Sequence, residues 1–304
     1  MAKEFDILVA GGGIAGLTAG LTAARLGRSV IVLTGDVLGG NLLSIEKIDG
    51  FPGFAGGVAG YDLCPITQGQ AAEAGAGFAM TEVTKLEADG NRWLVTDGAE
   101  THSAGAVIIA TGASFAELDV PGEAALRGRG VSHCASCDAP LLRGKVVAVI
   151  GGGDSAAQEA LTLAEAASQV IIFCREDALV AKAVYRDRIE AHAAIEVRYG
   201  TVVDAILGDD GVTGIAVGGS DVACDGVFVY VGLTPNTGFV NGLLALGPGG
   251  HIPVDGDLRS QAPGLFAAGC VRLGSAGQAA SSAGDGAAAA IAADAYLTSG
   301  DWRL

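Results

Sequence analysis

Two glycine-rich stretches, each between an apolar run and a small-residue segment, constrain the fold of this chain more than any other feature. The first, Gly11-Gly12-Gly13-Ile14-Ala15-Gly16, follows the mostly apolar residues 5–10 and leads into a predicted small-residue helix at 14–26, which ends before Gly27. A strand, a turn with glycine at its first, third and sixth positions, and a helix are typical of a dinucleotide site. The glycines let a pyrophosphate approach the backbone, and the amides at the start of the helix bind it.

The same order recurs in the second half of the chain. Residues 145–150 predict a strand with an apolar run at 146–150, Gly151-Gly152-Gly153-Asp154-Ser155-Ala156 forms the turn, and residues 154–167 have a helical pattern. A further strand is predicted at 169–173, just as one is predicted at 29–33 after the first helix. This weak internal repeat predicts two nucleotide-binding domains in one chain.

Later apolar runs indicate how the two domains are connected. Residues 106–112 predict a buried strand that ends in a tight turn, and the chain leaves the first domain around Val120-Pro121-Gly122. Residues 264–269 and 278–296 predict a strand and a helix that return to the first domain. We therefore predict an α/β fold with two Rossmann-like three-layer domains, the first of which is split around an inserted second domain.

Cys134 and Cys137 are separated by two residues and are followed by Asp138. Two thiols at this spacing can close a small disulfide ring, and an acid beside them can carry the proton that thiol–disulfide exchange moves. A structural zinc needs four ligands, usually from two such pairs, so no metal site is predicted. An inert buried pair stays open as an alternative, and Asp138 could be only the N-cap of a short helix that contains Pro140.

Charge and composition limit the possible partners. The chain has 18 Lys and Arg against 34 Asp and Glu, a net charge of −16, and such an acidic surface repels nucleic acid and anionic lipid. No apolar run approaches the roughly 20 residues of a membrane span, and the first residues lead directly into a strand, so no signal peptide is predicted. The other four cysteines are isolated in the sequence: Cys64, Cys174, Cys224 and Cys270. In a reducing compartment, an isolated cysteine is usually a small buried apolar residue. We expect a cytoplasmic protein with no nucleic-acid or membrane partner.

The order of these motifs resembles the low-molecular-weight thioredoxin reductases. The shared features are the two glycine turns, Gly39-Gly40-Asn41, Phe51-Pro52-Gly53, Ala110-Thr111-Gly112, the Cys-x-x-Cys-Asp motif and Ala267-Ala268-Gly269. The resemblance implies an FAD-binding domain in residues 1–116 and 245–304, and an NAD(P)-type domain with the cysteine pair in residues 117–244. It also implies a homodimer that passes electrons from a donor through FAD and the Cys134–Cys137 disulfide to a protein disulfide such as that of thioredoxin.

The resemblance further implies which residues form the sites. Those for FAD are Gly11, Gly12, Gly13, Ile14, Ala15, Gly16, Thr34, Gly35, Gly40, Asn41, Gly269, Cys270, Gln278 and Ala279. Those for the nicotinamide cofactor are Gly151, Gly152, Gly153, Asp154, Ser155, Ala156 and Arg175. Cys137 would be the thiol that faces the flavin, Cys134 the thiol that meets the partner disulfide, and Asp138 the acid that shuttles the proton.

Three departures from the family pattern concern the cofactors. Cys270 stands where an Asp usually contacts the ribityl chain, and Gly277 replaces an Arg on the flavin side. In place of the usual His-Arg-Arg-x-x-x-Arg clamp for the 2′-phosphate of NADPH, residues 174–180 are Cys-Arg-Glu-Asp-Ala-Leu-Val. Glu176 would repel that phosphate and could instead accept a hydrogen bond from a 2′-hydroxyl.

These departures leave the electron donor and the direction of transfer open. NADPH is predicted to be a poor donor, and NADH or reduced ferredoxin are the alternatives. The same parts operating in reverse would make a flavin-dependent dithiol oxidase that uses oxygen. An alternative from another class is a flavin-binding regulatory protein without turnover, and the retained Cys-x-x-Cys-Asp motif argues against it.

Overall fold

The computed structural model describes residues 2–302, which form two compact units. Unit 1 contains the chain up to Ser114 together with the chain from Thr234 onward, and unit 2 contains Phe115–Leu233. Each unit is built around a largely parallel sheet. The predicted α/β fold, with a first domain split around an inserted second one, is confirmed.

The elements are numbered along the chain. The strands are β1 (Lys3–Ala10), β2 (Val30–Leu33), β3 (Gly77–Ala79), β4 (Lys85–Asp89), β5 (Arg92–Thr96), β6 (Thr101–Ile109), β7 (Ala113–Phe115), β8 (Val131–Ser132), β9 (Val146–Ile150), β10 (Gln169–Phe173), β11 (Ile195–Arg198), β12 (Val203–Leu207), β13 (Gly214–Val217), β14 (Ser220–Ala223), β15 (Gly226–Val229), β16 (Leu233–Pro235) and β17 (Leu265–Ala267). The α-helices are α1 (Ile14–Arg25), α2 (Gly60–Glu73), α3 (Glu123–Leu126), α4 (Ala135–Asp138), α5 (Asp154–Ala164), α6 (Ala183–Glu190) and α7 (Ala279–Ser299). Short 3-10 helices span Gly40–Ser44, Ala139–Leu142, Gly238–Val240, Pro248–Gly250 and Gly269–Val271.

The sheet of unit 1 has the order β3-β2-β1-β6-β5-β4, and β17 also pairs with β6. Strand β6 has two neighbours on the same side because its first half pairs antiparallel with β5, whereas its second half pairs parallel with β17. The strand contributed by the returning end of the chain therefore completes the sheet that the first part began.

The core of unit 1 lies on both faces of its sheet, as strand alternation requires. On one face Ile7 and Val9 pack in a cluster with residues of α1 and α7, and on the other Leu8 packs with residues of β5 and β17. Helices α1 and α7 approach closely, since a Cβ on Gly286 would lie 2.0 Å from the Ala15 carbonyl oxygen. Small residues in both helices therefore permit the contact that supports the first glycine turn.

The sheet of unit 2 is parallel, with the order β11-β10-β9-β15-β8. Val147 and Val149 of β9 pack in a cluster with residues of α4 and α5. Ala148 and Ile150 point to the opposite face and pack with residues of the antiparallel sheet β12-β13-β14. The unit thus has a helical layer, a parallel sheet and an antiparallel sheet.

Both unit boundaries differ from the expected domain bounds, the first slightly and the second more. The first boundary falls at Ser114 rather than at residue 116, but the second falls at Leu233 rather than at residue 244. Residues 234–244 join unit 1 because Val240 and Leu244 are buried in the same cluster as Leu8. Among the helices in residues 2–302, none is both long and apolar enough to cross a membrane.

Candidate functional site

The first glycine turn joins β1 to α1. Gly11 has φ +119°, and a Cβ on Gly16 would lie only 1.9 Å from the Gly11 carbonyl oxygen, so glycine is required at both positions. Gly13, the N-cap of α1, is different. Its φ is −73°, and no other part of the described chain would lie within 4 Å of a Cβ there. Neither conformation nor internal packing requires glycine at this position, whereas the approach of a pyrophosphate to the start of α1 would.

Three predicted FAD residues lie directly against this turn. A Cβ on Gly12 would meet the Thr34 side chain at 2.6 Å, and a Cβ on Gly269 would meet that of Ala15 at 3.0 Å. Gly40 lies slightly further away, since its Cβ would be 3.8 Å from the turn. Segments after β2, in the 3-10 helix Gly40–Ser44 and after β17 thus converge on one turn.

The other predicted FAD residues have different contacts. Gly35 follows β2 with φ +73°, and Asn41 Nδ2 donates a 2.7 Å hydrogen bond to the Ala113 carbonyl. Cys270 lies in the 3-10 helix Gly269–Val271 and is half-buried. Gln278 is the N-cap of α7, is exposed, and its Nε2 donates to the Gly277 carbonyl over 3.1 Å, while Ala279 begins the helix. Their proposed contacts with FAD stay predictions.

Asp285 is a position that the sequence analysis missed. Its carboxylate accepts hydrogen bonds from Gly269 N (3.1 Å) and from Arg272 Nε (2.7 Å) and Nη2 (2.9 Å). The Arg272 and Asp285 side chains are only 18% and 12% exposed. This ion pair fixes the segment that carries Cys270 beside the first turn. The available signal was a charged residue between Gly284 and Gly286 in an otherwise alanine-rich helix.

The second glycine turn joins β9 to α5 and repeats the geometry of the first. Gly151 has φ +136°, and Ala156 is fully buried where helix and strand meet. Gly153, the N-cap of α5, has φ −89°, and a Cβ there would again have no other part of the described chain within 4 Å. Ser155 is exposed on the first turn of α5. The open space at Gly153 fits a second phosphate-bearing ligand.

The loop after β10 is hydrogen-bonded to the second turn. Gly152 O accepts from Val180 N (2.9 Å) and Ala181 N (3.1 Å). The Asp154 carboxylate at the start of α5 accepts from Lys182 N (2.8 Å) and Lys182 Nζ (2.6 Å). These bonds hold residues 174–182 in a defined path beside the turn. The Asp154–Lys182 pair was not expected from the sequence.

Arg175 does not offer a free cation at this site. Its Nε donates a 2.6 Å hydrogen bond to Glu176 Oε1, and that bond lowers the pKa of Glu176. Glu176 Oε2 lies 3.7 Å from the position of a Cβ on Gly152, and the sulfur of buried Cys174 lies 2.5 Å from it. The side chain that lies at the second turn is therefore the carboxylate of Glu176, whereas the sequence predicted that Arg175 would contact a cofactor there.

Cys134 and Cys137 form a disulfide at the start of α4. Cys134 is the N-cap, and its Sγ accepts a 3.3 Å hydrogen bond from Cys137 N. Cys137 is exposed and Cys134 is half-buried, so the pair is accessible. Asp138 ends α4, occupies the N-cap position of the 3-10 helix that follows, and makes no side-chain capping bond to it. Its role as the acid that shuttles the proton stays a prediction.

Three rings pack beside α4, and the sequence analysis gave none of them a role. Phe115 stacks on His133 with centroids 5.2 Å apart, and Tyr230 meets Phe115 edge-on at 5.5 Å. Tyr230 lies in the same cluster as Ala135 of α4. Burial lowers the pKa of His133 and raises that of Tyr230, so both are neutral at physiological pH. The rings form an uncharged support for the disulfide segment.

The remaining cysteines are separate from the disulfide. Cys64, Cys174 and Cys224 are buried, and burial raises the pKa of Cys64 to about 11 and that of Cys224 to about 12. Such thiols are weak nucleophiles at neutral pH. Within residues 2–302, no three His, Cys, Asp or Glu side chains are grouped as a metal ion requires.

The fold and these sites define an α/β oxidoreductase with two nucleotide turns and an accessible disulfide. The family model for pyridine nucleotide-disulphide oxidoreductases matches residues 5–287, and the chain belongs to that family. The resemblance predicted from the motifs is confirmed.

Curated relatives and solved structures agree over nearly the whole chain. A thioredoxin reductase of Treponema pallidum is 34% identical over 303 residues, which is 98% of each chain. The crystal structure of Lactococcus lactis thioredoxin reductase matches with a TM-score of 0.93 and 33% identity, covering 97% of this chain and 99% of that one. The T. acidophilum thioredoxin reductase also has a TM-score of 0.93 and 33% identity, covering 98% of this chain and 100% of the other.

Proposed function

We propose that the chain is an FAD-dependent thioredoxin-disulfide reductase. FAD binds at the turn Gly11–Gly16, a reduced pyridine nucleotide binds at the turn Gly151–Ala156, and the Cys134–Cys137 disulfide passes electrons to the disulfide of thioredoxin. The observation that carries the proposal is an accessible disulfide next to Asp138, in the unit that also contains the second turn. The names of the relatives, which are thioredoxin reductases, support the partner.

The residues of the first turn fit FAD. The space at Gly13 would receive the pyrophosphate at the start of α1, and Thr34, Gly40 and Gly269 would surround it. When bound there, FAD supplies two-electron chemistry between a nicotinamide and a disulfide. Cys270 contributes no carboxylate to this site, so we expect retention of FAD to depend on the backbone amides of the turn.

The chain's own residues carry out the exchange with thioredoxin. In the reduced protein, the hydrogen bond from Cys137 N stabilises a thiolate on Cys134. That thiolate attacks one sulfur of the thioredoxin disulfide, forming a mixed disulfide and releasing a thiolate from the partner. The partner thiolate released first takes the proton of the Cys137 thiol. The Cys137 thiolate then attacks Cys134 Sγ, the mixed disulfide breaks, and the Cys134–Cys137 disulfide is restored. Asp138 supplies a proton to the departing partner thiolate, so that thioredoxin leaves as a dithiol.

Two serine variants test this assignment. The FAD-loaded protein is reduced with dithionite without oxygen and mixed with oxidised thioredoxin, so that no nucleotide is needed. Cys134→Ser and Cys137→Ser should both retain FAD and lose thioredoxin reduction, because exchange needs both sulfurs. In Cys134→Ser, the remaining thiolate should give a long-wavelength absorbance band with oxidised flavin.

The control is Cys64→Ala, which removes a buried and unreactive thiol and should reduce thioredoxin at the unmodified rate. The long-wavelength band in Cys137→Ser instead would reverse the two roles. Unmodified protein that takes up no FAD, or that oxidises dithiols with oxygen and never reduces thioredoxin, would disprove the proposed function.

We also propose that the enzyme acts as a homodimer in the cytoplasm. The resemblance to thioredoxin reductases supports the dimer, and the buried unpaired cysteines are typical of a reducing compartment. Light scattering of the FAD-loaded protein should give twice the mass of one chain, and cell fractionation should recover it with the cytoplasmic enzymes.

A further inference from the structure

Glu176 lies where a Rossmann-type domain recognises the ribose of its nucleotide. It is the third residue after β10, the strand that pairs in register with β9, and β9 leads into the second glycine turn. Its Oε2 is 3.7 Å from the position of a Cβ on Gly152. In this type of domain, an acid about 20 residues beyond the turn accepts a hydrogen bond from the 2′-hydroxyl of NAD.

The carboxylate of Glu176 is held in place and retains capacity to bind. Oε1 accepts from Arg175 Nε (2.6 Å), and the backbone carbonyl accepts from Gly200 N (3.0 Å). Oε2 accepts a weak bond from the Cys174 thiol, at 3.5 Å. The side chain is 37% exposed, so a hydroxyl can approach Oε2 from solvent.

Three cations near the turn form ion pairs. Arg175 binds Glu176, and Lys182 Nζ binds Asp154 at 2.6 Å. Arg198, at the end of the neighbouring strand β11, binds Glu196 at 2.7 Å. Val180 of the same loop is 71% exposed and carries no charge. A 2′-phosphate needs cations that are free to form charge-assisted bonds, and it would meet an ionised carboxylate here.

We propose that Glu176 recognises the 2′-hydroxyl of the adenosine ribose, and that the second turn therefore binds NADH in preference to NADPH. This specificity rests on the proposed function, in which the second turn binds the electron donor. Arg175 acts as a positioning residue, because its 2.6 Å bond to Oε1 holds the Glu176 carboxylate in place.

The test measures binding, not turnover. Titration calorimetry of the oxidised FAD-loaded protein with NAD⁺ and with NADP⁺ should show NAD⁺ binding roughly tenfold tighter or more, the worth of one charge-assisted hydrogen bond. Glu176→Gln should weaken NAD⁺ binding roughly fivefold to tenfold and should not weaken NADP⁺ binding, so the preference shrinks. The matched control is Asp177→Asn, which makes the same charge change at an exposed position of the same loop and should keep the preference.

Each outcome has a distinct meaning. Tighter binding of NADP⁺ to the unmodified protein, or no binding of either nucleotide, overturns the proposal. Both outcomes are measured on the unmodified protein, so they do not depend on whether a variant folds. An equal loss of preference in Asp177→Asn also overturns it, because only the net charge would then matter. Thioredoxin reduction by dithionite-reduced protein is measured separately and needs no nucleotide. Failure of the NADH preference and failure of the proposed function can therefore be told apart.

Discussion

The two glycine turns share a backbone design. In the first, Gly12 O accepts a hydrogen bond from Gly39 N at 2.8 Å, and in the second, Gly152 O accepts one from Val180 N at 2.9 Å. Each turn is thus fastened to a loop that is distant in sequence, and each leaves open space at the N-cap glycine of its helix. The common design leaves the same open space at a helix start in both units, which suits a phosphate and does not by itself distinguish the ligands.

The turns differ in what lies beside them. The neighbour of Gly12 is the buried side chain of Thr34, whereas the neighbours of Gly152 are Cys174 and the carboxylate of Glu176. Among these neighbours of Gly12 and Gly152, the carboxylate of Glu176 is the group that could accept a hydrogen bond from a ribose. The two turns therefore share the geometry that suits a phosphate, whereas the residues after the following strand differ between them.

The helices that follow the turns also differ in charge. Helix α1 begins with the apolar Ile14, and α5 begins with Asp154, whose carboxylate binds Lys182. A carboxylate at a helix start competes with a phosphate for the positive end of the dipole. The Lys182 ammonium offsets that competition. We therefore expect the first site to retain its ligand tightly, as a site for a bound redox cofactor should. We expect the second site to exchange its ligand, as a site for a substrate should.

The largest effect is expected from Gly13→Val. A branched side chain in the open space at this N-cap would take the place of the pyrophosphate, and losing two charge-assisted contacts weakens FAD binding roughly 10²-fold or more. The absorbance spectrum of purified protein should show little flavin, while circular dichroism shows a folded chain. Gly256→Val is the control, because this loop glycine also has open space around it and lies outside the turn. Normal flavin content in Gly13→Val would show that the first turn does not hold FAD.

The matching change in unit 2, Gly153→Val, should separate the two sites. FAD content should stay normal, and binding of NAD⁺ should weaken roughly 10²-fold for the same physical reason. Dithionite-reduced protein should still reduce thioredoxin, since that step bypasses the nucleotide. Calorimetry and the flavin spectrum measure both effects in one preparation. Loss of flavin from this variant would mean that the two turns do not act independently.

An intermediate effect is expected from Asp285→Asn, which removes the charge that pairs with Arg272 near the first turn. Loss of the pair leaves a poorly solvated guanidinium, which should lower the free energy of unfolding by about 1–3 kcal/mol. Denaturant unfolding of FAD-loaded protein measures the loss, and flavin should dissociate faster. NAD⁺ binding to unit 2 should be unchanged.

The control for this variant lies on the same helix. Asp294→Asn breaks the Arg28–Asp294 pair, whose side chains are 23% and 29% exposed, and should cost about 1 kcal/mol or less. If the two variants lose equal stability, the Asp285–Arg272 pair has no special role beside the first turn.

The repeated pattern was sufficient to predict the fold. Apolar runs before Gly11 and Gly151 and small-residue segments after them predict strand, turn and helix, because these periodicities are local properties of the sequence. The return of the chain to unit 1 was predicted for the same reason. The second unit boundary differs from the predicted residue 244 because burial of Val240 and Leu244 depends on a distant partner, the face of the unit 1 sheet that carries Leu8.

Side-chain pairing was the part that the sequence could not predict. The Asp285–Arg272 and Asp154–Lys182 pairs join residues of separate segments, and many other acids in this chain could have been chosen instead. The packing of His133 and Tyr230 beside α4 depends on where two strand ends meet in space. In contrast, the Cys134–Cys137 disulfide was predicted because both partners lie within one turn of chain.

The smallest predicted effect is a pH dependence of nucleotide preference at the second turn. The hydrogen bond from Arg175 lowers the pKa of Glu176 below that of an ordinary glutamate. The carboxylate is therefore ionised at any pH above the ordinary glutamate pKa, and it becomes protonated only at a lower pH. Burial raises the pKa of the adjacent Cys174, which stays a neutral thiol at and below neutral pH. NAD⁺ affinity should therefore be constant between about pH 5 and pH 8. A 2′-phosphate gains a proton near pH 6, which weakens its repulsion from Glu176, so NADP⁺ affinity should rise severalfold toward pH 5.

Calorimetry at pH 5, 6, 7 and 8 would show the preference for NAD⁺ shrinking toward acid in the unmodified protein. In Glu176→Gln the uncharged amide should abolish most of this slope, and an unchanged slope there would mean that another charge governs the preference.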